Sequence, residues 1–468
     1  MFADLTPLRV SAPYRRLWWG LGLANFGAQL TVMAVGLQVY ALTGSTLAVG
    51  GLGLAALIPL LVMGLYGGAL ADAYDRRRLA LIASTIMWTA TIGIALHAWS
   101  GGGHVWPLFA LTAVQSGAQA VNSAARSAII PRLVGVHLLP AANALSQVTN
   151  TLAMMLGPVV GAFLVGSVGY AWTYTVDVVT FTAALYAIFR LPAIPPLRPP
   201  AAGRRRPAVT DPERPVLADP EPVPSASEPN TPASESGTPS AEAPAATPVG
   251  GWRSVGEGLV FLATRRNLLM TFAIDLCAMV LAFPRAAFPA VAVWVIGGGE
   301  TTAGILTAAI AAGAAIASIL SGPVGRVRRQ GWVAAWAVTA WGGAIAMFGV
   351  VVVIAGPTKP PAVVWWALIL ACVALALAGA ADAVSAVMRG TILQSATPDH
   401  LRGRLQGVFV VVVTGGPRLG DMVTGADSAI VGEGWAVVIG GLACIAGVWL
   451  LMRWQRGFAR YDALHPIP

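Results

Sequence analysis

The chain has 468 residues, of which 56% are hydrophobic and only 10% are charged. A soluble domain carries about 25% charged residues; with a mean hydropathy of +0.72, the composition excludes an ordinary water-soluble globule. The formal net charge of +9 raises nucleic acid as a partner, but the placement of the charges, described below, argues against it.

A bilayer-spanning helix needs about 20 predominantly apolar residues. In chain order such blocks fall at 17–41, 47–71, 78–99, 105–127, 142–166, 170–190, 267–295, 301–323, 331–355, 362–388, 405–430 and 434–453. The expectation is an all-α membrane protein of twelve transmembrane helices. The block at 405–430 is the least apolar, interrupted by Arg418, Asp421 and Asp427. The first block is too long for the apolar core of a secretory signal, and no small-residue cleavage site follows it, so no cleavable signal is expected.

Nearly all the positive charge is arginine; Lys359 is the single lysine. Arginines cluster at Arg9, Arg15 and Arg16, at Arg76 to Arg78, at Arg126 and Arg132, at Arg326, Arg328 and Arg329, at Arg402 and Arg404, and at Arg453, Arg456 and Arg460. These are alternate connections plus the two ends. The opposite connections, 42–46, 100–104, 296–300 and 356–361, hold only Lys359. That asymmetry predicts a multi-pass membrane protein with both termini cytoplasmic. The basic charge therefore reports topology, and no nucleic-acid partner is expected.

Residues 191–250 break the apolar pattern: the stretch is dense in Pro, Ala, Ser, Thr and Glu, with a basic cluster at Arg204 to Arg206. Such a composition cannot bury enough apolar surface to fold. The expected organisation is a six-helix bundle at 1–190, a disordered cytoplasmic linker at 191–250, and an amphipathic lead-in helix plus a second six-helix bundle at 251–468. Trp252, Val255, Leu259 and Leu262 recur at helical spacing beside charged residues, which suits a helix lying on the inner membrane face. The halves also repeat. Arg126, His137, Leu138 and Gly157 each have a same-type counterpart 263 residues later, at Arg389, His400, Leu401 and Gly420.

Charges inside apolar spans are informative, because each costs about 2.5–3.5 kcal/mol mid-helix. Asp275, Arg285, Arg418 and Asp421 are candidates for proton coupling or for cavity charges, and buried ion pairs that only fix helix packing are the alternative. Pro284 is expected to break the seventh span beside Arg285. Asp421 lies one turn after Arg418, so the two could pair. Asp382 and Arg389 read as structural, and Asp177 as the holder of a structural hydrogen bond. Asn25 and Gln29, then Gln115, Gln119 and Asn122, form amide stripes that suit a wet cavity wall, although amides also act as interhelical glue. Gln147 and Asn150 lie on the fifth span. Cys277, Cys372 and Cys444 read as small buried hydrophobes. No metal-ligand spacing, cofactor signature or nucleophile motif is present, so neither an enzyme nor a metal or cofactor site is expected.

The turn Gly68-Ala-Leu-Ala-Asp72-Ala-Tyr-Asp75-Arg76-Arg77 resembles the loop 2–3 signature of the major facilitator superfamily at Gly68, Asp72, Arg76 and Arg77. It departs from that signature at Ala73, where the family often has arginine, and at Asp75, where it often has glycine. Leu156-Gly157-Pro158-Val-Val-Gly161 resembles the helix-five motif of the family's exporters. The Tyr14-Arg-Arg-Leu-Trp start, the Trp252-to-Glu257 stretch, Phe283-Pro-Arg285 and Thr397-Pro-Asp-His-Leu-Arg402 are similar to the enterobactin-exporter and drug-exporter branch. The resemblance covers the chain outside the linker. It implies two six-helix pseudo-repeats in the major facilitator fold. It also implies a latch in which Asp72 faces the start of helix eleven while Arg76 and Arg77 pair across the halves, and a bend at Gly157, Pro158 and Gly161 that seals the half-interface. The implied activity is proton-coupled export of a siderophore or drug-like small molecule by alternating access, by a monomer whose partners are its substrate, protons and the bilayer. Proton-symport import of a metabolite, or a non-transporting sensor or scaffold, remain the alternatives.

Overall fold

In the computed structural model, residues 5–135, 138–191, 260–320, 327–397 and 399–461 are described; inside helices the side chains at 65, 67–69, 71–73, 127–128, 131–132, 140, 394 and 399–411 fall outside that description. The linker expected at 191–250 lies outside it except for Leu191. The lead-in helix does too, except for its last turn at 260–264, which is helical.

Helix α1 spans Ala12–Thr43, α2 Thr46–Ala73, α3 Arg76–Trp99 and α4 Trp106–Val134. Leu139–Phe189 is one hydrogen-bonded run, yet Gly169, at φ 85° and ψ 174°, divides it into α5 (139–168) and α6 (170–189). Only glycine enters that backbone region freely. Helix α7 begins as Arg266–Leu276 and continues, with interruptions, to Ile296. Then follow α8 (Gly299–Ile319), α9 (Gln330–Ala355), α10 (Trp365–Ser395), α11 (Asp399–Val431) and α12 (Glu433–Trp454). Two single-turn helices, Thr6–Val10 and Arg456–Ala459, flank the set. Among the described residues there is no strand.

The helix starts follow from side chains that accept otherwise orphaned backbone donors. Ser11 accepts from the Tyr14 amide at 3.3 Å and Ser45 from the Ala48 amide at 3.3 Å. Asp75 accepts from the Arg78 amide at 2.9 Å. Asp75, one of the two departures from the loop 2–3 signature, is thus the N-cap of α3.

Nine stretches of the described residues are long and apolar enough to cross a membrane, and the one at Ala141–Phe189, at 49 residues, holds two passes. Helices α4 and α11 are not among them. They are the polar helices, one carrying Gln115, Gln119 and Asn122, the other Arg418, Asp421 and Asp427. The protein is an all-α, multi-pass membrane protein.

Helices in a bilayer gain little from hydrophobic segregation, so close packing rests on small residues. Helix α1 lies along α5 and α6, α2 along α4, and α9 against both α10 and α12. Two further contacts join the halves, α2 with α11 and α5 with α8. At the first, a Cβ on Gly50 would lie 2.5 Å from the Asp421 carbonyl oxygen. At the second, a Cβ on Gly304 would lie 2.7 Å from the Pro158 carbonyl oxygen and 2.5 Å from the Ala162 methyl. Both contacts lie toward the arginine-poor end. There Thr46 Oγ1, at the start of α2, donates to Glu433 Oε1, at the start of α12, at 3.0 Å.

Candidate functional site

The site starts at a break in α7. Past Leu276 the helix widens into a π-turn at Cys277–Leu281, and Ala282 leaves helical geometry at φ −127°, ψ 34°. Pro284 follows, as expected, and a 3-10 turn at Arg285–Ala287 restarts the helix. A broken helix frees carbonyls that must be satisfied inside a membrane. The Phe283 carbonyl accepts from Thr424 Oγ1 of α11 at 2.8 Å. A Cβ on Gly420 would fall 2.0 Å from the Met279 carbonyl oxygen, so α11 lies flush against the break. This geometry turns Arg285 toward α11, where its guanidinium pairs with Asp421 and packs over the Phe283 ring, 5.4 Å from its centroid. Asp421 is buried, and its second oxygen, Oδ1, has no hydrogen-bond partner.

Between the halves the pair opens onto a cavity of two lobes that share Gln29, Val32 and Arg418. The first, about 80 Å³, is lined by Arg285, Arg418, Asp421, Thr307, Gln29 and Pro158, with apolar side chains of α1 and α2. The second, about 190 Å³, extends toward the arginine-rich end between Asn25, Gln29, Gln115, Gln119, Arg126 and Arg418, with Met87, Phe181 and Leu60 as its apolar wall. Two of the amides are oriented by partners: Asn25 Nδ2 donates to Asn150 Oδ1 at 3.0 Å, and Gln115 Nε2 donates to Thr91 Oγ1 at 3.1 Å. The walls are amphipathic, with guanidiniums and amides set among apolar surfaces. Among the described residues no cluster of histidine, cysteine or carboxylate side chains could hold a metal ion.

A family described as transmembrane secretion effector matches residues 2–201. The enterobactin exporter EntS of Citrobacter koseri is 24% identical over 99% of this chain and 97% of its own length. The EntS of Shigella boydii serotype 18 is 26% identical over 91% and 88%. Among solved structures, a point mutant of the nucleoside transporter NupG superposes with TM-score 0.66 at 13% identity, covering 94% of this chain and 99% of its own. A D-xylose-proton symporter superposes with TM-score 0.65 at 12% identity, covering 94% and 96%. The chain shares the fold of these transporters. Its fold is two six-helix pseudo-repeats, and the central cavity lies between them.

Against that fold the sequence-derived candidates divide. Arg285, Arg418, Asp421, Asn25, Gln29, Gln115 and Gln119 meet at the cavity. Asp275 does not, and its expected place as a cavity charge is corrected: it is buried against Arg389 of α10, which also reaches Asp382 Oδ1 at 3.3 Å. Ten residues at 3.6 per turn already put Asp275 and Arg285 on different faces, and the π-turn and break between them rotate the chain further. Arg418 and Asp421 form no direct ion pair with each other; Asp421 binds Arg285 through Oδ2. Asn122 also lies off the cavity. It is fully buried in the wall, donating to Met87 Sδ at 3.5 Å. Asp177 of α6 accepts from Thr31 Oγ1 at 2.5 Å and ties α6 to α1.

Of the residues expected to form a latch, the Gly68 and Asp72 side chains lie outside the described residues. Arg77 binds within its own half in this conformation: it donates to the Phe189 carbonyl at the end of α6 and sits 5.8 Å from the Phe189 ring centroid. Arg76 is half-buried at the start of α3. Gly157 and Gly161 receive α1, since a Cβ would fall 2.4 Å from Gln29 Cβ and 3.0 Å from Leu30 Cα respectively. Pro158 between them faces both the cavity and Gly304 of α8. Two further polar lining residues differ in how far the sequence pointed to them. Arg126 continues the α4 stripe through Gln115, Gln119 and Asn122 at steps of four, three and four residues, so the helical period pointed to it. Thr307, on the small-residue helix α8, gave no such signal.

Proposed function

We propose that this chain exports a small amphipathic organic molecule of siderophore or drug-like kind across the bacterial plasma membrane. It works by alternating access, driven by proton antiport, as a monomer with both termini in the cytoplasm. The observation that carries the reading is the amphipathic cavity between two halves that approach closely at the arginine-poor end. By the positive-inside bias the arginine-rich end is cytoplasmic, so the conformation is inward-facing and the second lobe is the cytoplasmic mouth of the path. The EntS relatives, named as enterobactin exporters, match nearly end to end and support the outward direction. The break in α7 and Pro158 of α5 flank the cavity, where rocking of one half against the other would change its access.

The test is efflux from cells with and without the full chain, using a catecholate siderophore and a panel of amphipathic drugs. The second arm uses a form with native cysteines replaced and Cys at positions 46 and 433, where the outer ends meet. Efflux that stops on oxidation and resumes on reduction is expected. Equal retention of every compound with and without the protein, or uptake instead of efflux, would overturn the export reading.

A further inference from the structure

The cavity does not balance its charge. Among the described residues, its lining holds three guanidiniums, Arg126, Arg285 and Arg418, and one carboxylate, Asp421. That carboxylate is already held by Arg285. Among the described residues the second lobe holds Arg126 and Arg418 and no carboxylate. Arg126 Nε is buried without a hydrogen bond. A cation held at membrane depth without a counter-charge is costly, and such residues pair with one another's opposites or line a pathway. Two like charges facing one lobe add repulsion to that cost. An arrangement of this kind is stable when an anion shares the lobe, and guanidinium presents a planar fork of donors that matches an oxyanion on two bonds at once.

We infer that the transported molecule carries an organic oxyanion, a carboxylate or a phenolate, bound in the second lobe between Arg126 of α4 and Arg418 of α11, with its apolar body against Met87, Phe181 and Leu60. The inference rests on the transport reading in that the bound ion is taken to be the cargo. It adds a consequence for the cycle. Arg126 belongs to the first half and Arg418 to the second. Closing the arginine-rich end brings the two helices together, and in the empty carrier the two cations oppose that approach. An oxyanion between them removes the repulsion, so the loaded form is the one that closes. Arg285 is not needed for this step, because Asp421 already neutralises it. Gln119 and Gln29 line the same lobe and can donate to the remaining lone pairs of the anion.

The probes are three compounds of one shape and different charge: 2-naphthoate, 2-naphthamide and 2-naphthylmethylammonium. Binding to purified full-length protein in lipid nanodiscs is read by calorimetry. The expected order places 2-naphthoate at least 10-fold tighter than the amide, with the ammonium weakest. R126Q and R418Q should each reduce that preference toward equality, and R126K and R418K should restore part of it. An unaltered unfolding temperature shows that the variants are folded. A preference for the amide or the ammonium, or a preference for naphthoate that survives both glutamine variants, would overturn the inference. Proteoliposome flux separates it from the transport reading. Flux of a neutral or cationic compound that naphthoate does not inhibit leaves transport standing and removes the oxyanion site. Arginine-dependent naphthoate binding with no flux of any probe keeps the site and removes transport.

Discussion

Replacing Asp275 by Asn should damage the fold before it touches the transport cycle. The Asp275 and Arg389 side chains each retain 4% of their exposure, so the pair is out of contact with water. Removing one partner of a buried pair costs about 3–5 kcal/mol, because the remaining charge is left uncompensated. Asp382 keeps one contact to Arg389 at 3.3 Å, which places the loss at the lower end, about 3 kcal/mol. Asp382 itself is 33% exposed; its replacement by Asn removes a longer, solvent-screened contact and should cost about 1 kcal/mol or less. The double variant D275L/R389M removes both buried charges and should recover most of the loss, as apolar substitutes for buried pairs commonly do. The assay is thermal unfolding of purified full-length protein in detergent, followed by the reaction of a fluorogenic maleimide with Cys444, which is fully buried in the native state. The expected order of unfolding temperature is D275N lowest, the double variant higher, and D382N close to the parent. If D275N unfolds with the parent while the pH dependence of transport changes, the structural account fails and Asp275 returns to the proton-responsive groups.

A leucine at position 304 would collide with the Ala162 methyl and the Pro158 carbonyl. G304L should therefore hold the outer ends apart and stop efflux at unchanged membrane levels, while raising the reactivity of a cysteine placed at 166 toward an impermeant thiol reagent. Normal efflux in G304L would show that the α5–α8 contact is not part of the cycle. Deleting about residues 205–245 should leave transport nearly intact, because that stretch reads from its composition as a tether, and the closure cost of a tether depends weakly on its length. Loss of efflux with normal membrane levels would give the linker a specific role.

The membrane class, the alternating arginine asymmetry and the positions of the helices were legible in the sequence, because each depends on local chemistry. A run of about 20 apolar residues cannot remain in water, and a backbone in lipid must satisfy its hydrogen bonds within a helix. The amide stripes at Asn25 and Gln29 and at Gln115 and Gln119 were readable for the same reason: helical period decides which residues share a face. The Pro284 break was also visible, since proline cannot continue the hydrogen-bond ladder. Partnership between charges was not. Asp421 is three residues from Arg418 in the chain, yet it binds Arg285, 136 residues away. Asp275 shares a helix with Arg285, yet it binds Arg389. Spacing along a helix sets the faces of that helix only. Which face meets which depends on how α7 turns at its break and how closely small residues let α11 approach it. The tertiary packing thus decided that the one described carboxylate of the cavity is bound by Arg285 and not by Arg126 or Arg418.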